Sequence, residues 1–288
     1  MKKVLITGSN GQLGSEIRRL EKNYPEFAFT YTDVGELDLT DEKAINNFLH
    51  NNSFNVCINC AAYTAVDKAE DDRDLARLIN VTAVEYLAKA CTAQNTFLVH
   101  VSTDYVFDGT NYRPYVETDP PSPNSVYGLT KRQGEEAVEK FAENALIIRT
   151  AWLYSSFGNN FVKTMLRMGK EKDSLGVVAD QIGTPTYAGD LAKAILDILA
   201  NKKLTSGVEI YHYSNEGVIS WYDFAQAIMR ETGISCKINA ITSNDFPAKA
   251  NRPFYSVLSK AKIKTNFRLE VPYWLDSLKL VLEQLKKQ

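Results

Sequence analysis

The feature that most constrains the fold of this chain is the glycine pattern in KVLITGSNGQLG, residues 3–14. Gly8, Gly11 and Gly14 recur at every third position, directly after a short apolar run and directly before a helical pattern. A strand–turn–helix of this kind presents free N–H groups and the positive end of a helix dipole, which suit the pyrophosphate of a dinucleotide. Asp33 follows Gly14 by roughly the 20 residues expected for a carboxylate that binds the adenosine ribose. The pattern therefore predicts a dinucleotide-binding unit, and a glycine-rich turn without a ligand is the less favoured alternative.

Short apolar runs alternate with helical patterns along the first half of the chain. The predicted strands are 3–7, 27–32, 55–59, 97–102 and 145–150, and the predicted helices are 12–20, 41–50 with Thr40 as its N-cap, 75–93, and one that starts near Tyr127. Strands that are apolar on both faces and alternate with helices are typical of a parallel sheet covered on both sides. We therefore predict an α/β fold with a doubly wound parallel sheet of the Rossmann type.

The regular alternation of predicted strands and helices ends after residue 151, where polar segments with Gly and Pro separate the elements. Helices are predicted at 161–172, 187–200, 221–232 and 274–286, and a strand at 208–213. We expect residues 1–151 to form the dinucleotide-binding domain. Residues 152–288 are expected to form mainly a smaller α/β lobe that binds the substrate, with elements that return to the Rossmann sheet.

Charge and composition exclude several classes of function. Lys and Arg number 33 against 35 Asp and Glu, so the formal net charge is −2 and no electrostatic feature indicates nucleic-acid binding. Apolar runs stay far below the roughly 20 residues that span a bilayer, and the N-terminal run is too short for an export signal. The Cys-x-x-Cys at Cys57 and Cys60 lacks a second ligand pair, and the histidines lack metal-ligand spacing. We expect buried thiols, no membrane partner and a cytoplasmic location.

The stretch VYGLTKRQGEE, residues 126–136, places Tyr127 four positions before Lys131. Residues four apart lie on one face of a helix. A fixed cation beside a phenol stabilises the phenolate and lowers the pKa of tyrosine from its ordinary value of about 10. The pair can therefore act as a general acid, although ordinary helix surface is an alternative on this spacing alone.

The glycine interval followed by Tyr-x-x-x-Lys resembles the short-chain dehydrogenase/reductase superfamily, and the chain length resembles its extended, nucleotide-sugar-modifying branch. Within that branch, motifs along most of the chain resemble the dTDP-4-dehydrorhamnose reductase family. These motifs are NCAAYTAVDKAE (59–70), VSTDYVFDG (101–109), ETDPPSPNSVYGLTK (117–131), RTAWLY (149–154), GNNFVKTML (158–166), DQIGTPT (180–186) and NRPFYS (251–256).

The resemblance implies an oxidoreductase that reduces the C4 ketone of dTDP-4-dehydro-6-deoxy-L-mannose to dTDP-L-rhamnose, a precursor of surface polysaccharide. It implies that Tyr127 donates the proton, that Lys131 lowers its pKa and holds the nicotinamide ribose, and that Thr103 hydrogen-bonds the substrate oxygen. The predicted cofactor contacts are Gly8, Asn10, Gly11, Gln12, Leu13, Gly14, Asp33, Asp38, Leu39, Ala61, Ala62, Tyr63, Thr64, Tyr127 and Lys131. The predicted substrate contacts are Thr103, Asp104, Tyr105, Trp152, Asn159, Asn160 and Arg252.

Several of these assignments have alternatives. Asp38 could equally be a turn residue, Trp152 a core residue and Arg252 a surface arginine. Asp33 favours NADH because its carboxylate would repel a 2′-phosphate, whereas the resemblance favours NADPH, so both cofactors are expected.

The resemblance also bears on metal binding and on the oligomeric state. Some members of the family bind Mg²⁺ at a dimer interface through acidic side chains, so Mg²⁺ and a homodimer are both considered. Glu16 is a candidate ligand, although we expect it to be an exposed acid. Asn80 is interpreted as structural. The rival functions are an epimerase or dehydratase of the same branch, and a non-catalytic regulatory subunit that resembles the reductase.

Overall fold

A six-stranded parallel sheet forms the centre of the protein. The computed structural model describes residues 1–201 and 206–287. The strands are β1 (Lys2–Thr7), β2 (Phe27–Tyr31), β3 (Val56–Asn59), β4 (Phe97–Thr103), β5 (Asn144–Thr150), β6 (Leu153–Tyr154), β7 (Ser174–Val178), β8 (Ile182–Gly183), β9 (Thr186–Tyr187), β10 (Gly207–His212), β11 (Ile219–Ser220) and β12 (Lys237–Ile241). The order in the large sheet is β10-β5-β4-β3-β1-β2, and every pairing within it is parallel.

This strand order confirms the predicted Rossmann-type α/β fold. The chain runs from β1 outward to β2 and then returns to β3 on the other side of β1, so the direction of winding reverses between β1 and β3. Ligands of open α/β sheets bind at the carboxyl ends of the strands on either side of such a reversal. The ends of β1 and β3 are therefore the expected ligand site.

Helices cover both faces of the sheet. They are α1 (Gln12–Leu20), α2 (Glu42–Asn52), α3 (Val66–Ala69), α4 (Arg73–Arg77), α5 (Ala83–Ala93), α6 (Val126–Phe141), α7 (Phe161–Glu171), α8 (Ala188–Asn201), α9 (Trp221–Thr232), α10 (Ala261–Phe267) and α11 (Trp274–Lys286). Successive strand residues point to opposite faces, so Val4 and Ile6 join the core beneath α1 and α8, whereas Leu5 joins the core beneath α2 and α5. A third core lies among α7, α9 and α11.

The second half of the chain adds elements to the large sheet and its covering helices, and it also forms smaller strand pairs. β10 pairs with β5 at the edge of the large sheet, and α8 packs on the same sheet face as α1. The remaining strands form three two-stranded pairs, β7 with β12, β8 with β11, and β6 with β9. Within the described ranges, no helix is both long and apolar enough to cross a membrane.

Two local predictions need correction. Asp41, and not Thr40, caps α2, because the Asp41 carboxylate accepts a 3.0 Å hydrogen bond from the Ala44 N–H. The predicted helix 75–93 is interrupted by a π-helical turn at Leu78–Thr82, and α4 and α5 flank that turn. Asn80 lies buried inside this turn, and its side-chain amide bonds the backbone of Tyr63.

Candidate functional site

The glycine-rich turn after β1 packs so closely that side chains would not fit. Gly8 has a φ of 61°, and a Cβ there would lie 2.7 Å from the Cα of Ala61. A Cβ at Gly14 would lie 2.5 Å from the Cα of Ser9. The first contact keeps the turn against the loop that follows β3, and the second keeps α1 against the turn. These close approaches are the ones a dinucleotide-binding turn needs.

A cavity of about 350 Å³ lies at the carboxyl ends of β1 and β3. Its lining includes seven of the predicted cofactor residues, Gly8, Gly11, Asp33, Asp38, Leu39, Ala61 and Ala62. Its lining also includes residues that were not predicted as cofactor contacts, Val34, Leu37, Thr40, Cys60, Ile79 and Ala83. Most of these extra residues are small or apolar, and their sequence signal was only their position beside the predicted contacts.

The backbone around Asp33 holds its carboxylate in place. The Asn10 N–H donates to one carboxylate oxygen at 3.0 Å, and the Val34 N–H donates to the other at 2.9 Å. These bonds link the end of β2 to the glycine turn. Asp38 accepts hydrogen bonds from the N–H and hydroxyl of Thr40, and these bonds lower the pKa of its carboxyl. Asp38 thus lines the cavity and also organises a turn.

Four other predicted cofactor residues do not line this cavity and differ in their burial and bonding partners. The Leu13 side chain is buried in the core, so only its backbone is available to a ligand. Gln12 is bonded to the Leu153 carbonyl and to Asn160, both in the second half of the chain. Tyr63 donates its hydroxyl to Asp72 at 3.1 Å, and Thr64 is exposed.

Thr103 and Tyr127 meet where β4 ends and α6 begins. Ser125 caps α6 by accepting a hydrogen bond from the Gly128 N–H at 3.1 Å. A Cβ at Gly128 would lie 2.2 Å from the Tyr105 carbonyl oxygen, so the first turn of α6 rests directly on the segment after Thr103. The Tyr127 ring makes an edge contact with the Tyr105 ring, with 5.4 Å between ring centroids.

Burial governs the ionisation of Tyr127. It raises the pKa of Tyr127 well above the ordinary value, while a hydrogen-bond interaction with Thr103 lowers that pKa and the charge of Asp104 raises it. The pKa of Tyr127 is therefore raised, and not lowered as the sequence predicted from Lys131, because burial is the largest influence on the phenol. The Thr103 hydroxyl donates to the Asp104 carboxylate at 3.0 Å, which fixes its orientation.

Lys131 is buried one helical turn beyond Tyr127. Its ammonium donates a 2.7 Å hydrogen bond to the Val101 carbonyl of β4. Burial lowers the pKa of Lys131 to about 8, although the nearby Glu135 carboxylate raises it. The cation is therefore present at neutral pH and faces the sheet near the end of β4.

Asp104 and Tyr105 are the next residues after Thr103. Asp104 is 1% exposed, and burial raises the pKa of its carboxyl to about 6 even though the Ser256 and Thr103 hydroxyls lower it. Burial raises the pKa of Tyr105 to about 12, and the Arg252 guanidinium lowers it. The segment NRPFYS thus reaches this site through both Arg252 and Ser256.

Arg252 is anchored to the first half of the chain. Its guanidinium forms a 2.6 Å ion pair with Asp67 on α3, and the other Asp67 oxygen accepts from the N–H groups of Lys249 and Ala250. Asp67 was not singled out from the sequence, although it lies in the motif NCAAYTAVDKAE. The structure therefore brings Arg252 beside Tyr105 and gives it an acidic partner.

Asn159 and Asn160 differ in how their amides are used. Asn160 caps α7, accepting from the Lys163 N–H, and donates to the Gln12 side chain at 3.0 Å and to the Ser155 carbonyl at 2.7 Å. Its polar atoms are thus occupied by the protein itself. Asn159 is exposed beside it. Trp152 lies two residues beyond the end of β5, whose Thr150 is paired with Thr103 of β4.

The expectation that Glu16 is an exposed acid is wrong. Glu16 is completely buried, accepts a 2.6 Å hydrogen bond from Ser155, is bonded to Tyr187, and pairs with Arg19 at 2.5 Å. Burial raises the pKa of its carboxyl, and Ser155 and Arg19 lower it. Across residues 1–201 and 206–287, no group of three or more His, Cys, Asp or Glu side chains could hold a metal ion, so we derive no metal-dependent step.

Comparison with known proteins points to one family. The family model described as RmlD substrate binding domain matches residues 1–287. The dTDP-4-dehydrorhamnose reductase of Aggregatibacter actinomycetemcomitans is 42% identical over 288 residues, which cover 97% of this chain and 98% of the relative.

Two solved structures are similar along nearly the whole chain. The dTDP-4-dehydrorhamnose reductase of Clostridium acetobutylicum ATCC 824 is 44% identical, with a TM-score of 0.94 and coverage of 99% of each chain. The dTDP-4-dehydrorhamnose reductase of Bacillus anthracis str. Ames, solved in complex with NADP, is 38% identical, with a TM-score of 0.93 and coverage of 99% of this chain and 100% of the other.

Proposed function

The chain belongs to the dTDP-4-dehydrorhamnose reductase family, and we propose on that premise that it reduces the C4 ketone of dTDP-4-dehydro-L-rhamnose to dTDP-L-rhamnose. The observation that carries the proposal is the carboxyl edge of the sheet. This edge holds the glycine-lined cavity after β1 and β3 and the Thr103–Tyr127 pair after β4. A cofactor and a carbonyl substrate bound at one edge can react directly.

A reduced nicotinamide cofactor, when bound, supplies the hydride for this reduction. The glycine turn would hold its pyrophosphate, since it leads into the N-terminus of α1, and Gly8 lets the turn pack against Ala61, where a side chain would collide. Asp33 would accept hydrogen bonds from the adenosine ribose hydroxyls. These residues suit a dinucleotide, and we assign residues 1–151 mainly to its binding and residues 152–288 mainly to the sugar nucleotide.

Tyr127 would donate its proton to the oxygen at C4 as negative charge develops there. The phenol is protonated at neutral pH, so its proton is available when the substrate arrives, but its raised pKa makes it a weak acid unless a cation stabilises the phenolate. Thr103 would hydrogen-bond the same oxygen by turning its hydroxyl proton from the Asp104 carboxylate, which accepts it at 3.0 Å, toward the substrate. Lys131 would assist by stabilising the phenolate and by binding the nicotinamide ribose.

The remaining site residues would bind the nucleotide sugar. We assign the diphosphate to Arg252, because a guanidinium matches the geometry of phosphate oxygens. Asp104, Tyr105 and Trp152 would surround the sugar, and Asn159 would contact the nucleotide. Asn160 would act indirectly, by joining this segment to Gln12.

We propose that both NADPH and NADH serve as cofactor. The Asp33 carboxylate favours the ribose hydroxyls of NADH. Arg18 lies at the same turn, bonded to Ser9 at 3.3 Å and stacked 4.5 Å from the Tyr31 ring centroid, and these positions support a role in binding a 2′-phosphate. The thiols of the protein are free, which agrees with the reducing cytoplasm that we propose as its location. We also propose a homodimer, which light scattering at assay concentration would test.

The decisive experiment is a cofactor-oxidation assay with the purified protein alone. We expect NADPH oxidation that depends on the dTDP-4-keto sugar and yields stoichiometric dTDP-L-rhamnose. Consumption of the sugar without cofactor oxidation would favour the epimerase or dehydratase alternative. Oxidation that requires a second protein would favour the regulatory-subunit alternative.

A further inference from the structure

Trp152 adopts a backbone conformation that is unusual for a large side chain. Its φ is 48°, in the left-handed region that favours glycine. Such conformations persist where surrounding contacts impose them, and they occur often at ligand sites. Trp152 follows β5 at the carboxyl edge of the sheet, beside the strand that ends in Thr103.

The Trp152 indole lies against two partners from the second half of the chain. The Trp221 indole stacks on it with 3.6 Å between centroids and only 11° between planes. A Cβ at Gly183 would lie 2.7 Å from two Trp152 ring atoms. Gly183 therefore makes room for the ring, while Trp221 covers one of its faces.

The two partners are held in a fixed relation to each other. β8 and β11 form an antiparallel pair in which Gly183 lies opposite Ile219. Trp221 follows β11 directly as the first residue of α9, and Ser220 and Asp223 form a capping box that fixes the start of this helix. Phe161 of α7 supports the Trp221 ring, with 4.7 Å between centroids.

We propose that Trp221, together with Gly183, is a positioning residue that holds the Trp152 indole as the wall of the sugar pocket. This inference rests on the proposed function and deepens it. A 6-deoxy sugar presents apolar C–H groups and a methyl group, which pack well against an indole face. Trp221 would act on the sugar part of the ligand through Trp152, and it would not act on the nucleotide or the cofactor.

The test compares two ligands that differ only in the sugar. Affinity for dTDP and for dTDP-L-rhamnose is measured by calorimetry with wild type, Trp221→Ala, Trp221→Phe and Gly183→Ala. We expect Trp221→Ala and Gly183→Ala to weaken binding of dTDP-L-rhamnose about tenfold, the order of one lost aromatic stacking contact. Binding of dTDP and the KM for NADPH should change less than twofold, and Trp221→Phe should retain most of the affinity for dTDP-L-rhamnose.

A matched control is Trp274→Phe, which alters a tryptophan buried in the core among α7, α9 and α11. This variant should change the affinity for both ligands equally if it changes either. Equal weakening of dTDP and dTDP-L-rhamnose by Trp221→Ala, or no weakening of either, would overturn the inference. The Gly183→Ala result decides the matter if Trp221→Ala fails to fold. An inactive wild type that still shows the sugar-specific loss would contradict the proposed function and leave the positioning role supported.

Discussion

Replacing Asp104 by Asn is expected to stabilise the protein near neutral pH, and the gain should depend on pH. Asp104 is 1% exposed, and burial raises the pKa of its carboxyl from 3.8 to about 6. Each unit of pKa shift corresponds to about 1.36 kcal/mol, so a charged Asp104 costs the folded state about 3 kcal/mol. Asn carries no charge, and its side-chain oxygen can still accept the hydrogen bond from Thr103.

The sign of the effect follows from the direction of the shift. Below about pH 4 the carboxyl of Asp104 is protonated in both the folded and the unfolded protein, and the cost is absent. Between about pH 4 and pH 6 the unfolded chain ionises this carboxyl while the folded protein keeps it protonated, so stability is lost as the pH rises through this window. The difference in unfolding free energy between Asp104→Asn and wild type should therefore grow between pH 4 and pH 7 and then level off.

Urea denaturation at pH values from 4 to 8, followed by circular dichroism, measures this difference directly, provided that unfolding is reversible and two-state. Asp74→Asn is a suitable control, because Asp74 is exposed on α4. A difference between Asp104→Asn and wild type that is the same at pH 4 and pH 8 would refute the argument that burial shifts the pKa of Asp104.

Four further predictions concern turnover. Tyr127→Phe should keep the fold and the NADPH affinity but lose about 10²–10⁴-fold in kcat, the usual contribution of a general acid; a rate within a few-fold of wild type would remove Tyr127 from the mechanism. Because the pKa of Lys131 is about 8, wild-type turnover should fall as the pH rises above that value, whereas Lys131→Met should lack this decline and bind NADPH more weakly; an unchanged pH profile and affinity would contradict both roles. Arg252→Ala should raise the KM for the nucleotide sugar far more than the KM for NADPH, and parallel changes would argue against a diphosphate contact. The values of kcat/KM for NADPH and NADH should agree within about a hundredfold, or about 2.7 kcal/mol, and a larger ratio would contradict dual cofactor use.

Elements with a strong local pattern could be predicted from the sequence alone. The helices predicted at 12–20, 221–232 and 274–286 have the same bounds in the structure as α1, α9 and α11. Apolar strands and a glycine turn that opens a helix are signals contained within a few consecutive residues, so they need no knowledge of distant contacts. The same reason explains why seven predicted cofactor residues line one cavity.

Elements that depend on distant partners could not be predicted in this way. β6, β8, β9 and β11 contain two residues each, which is too short for any periodicity, and each exists because a distant segment pairs with it. The π-helical turn at Leu78–Thr82 has no helix-breaking residue. It contains the buried Asn80, whose partners Tyr63 and Thr130 come from other elements.

Glu16 is buried by contacts that are distant in the sequence, and a local pattern cannot predict such contacts. On α1 it adjoins the apolar face formed by Leu13 and Ile17, and an acid at the border of such a face is usually solvated. Here the second half of the chain covers it and provides the bonds that a buried carboxylate needs, from Ser155 and Tyr187. Gln12, on the same helix, is bonded to Leu153 and Asn160. Helix α1 is therefore hydrogen-bonded through Gln12 and Glu16 to the segment that follows β5. A displacement of that segment would consequently displace α1 and the glycine turn that precedes it.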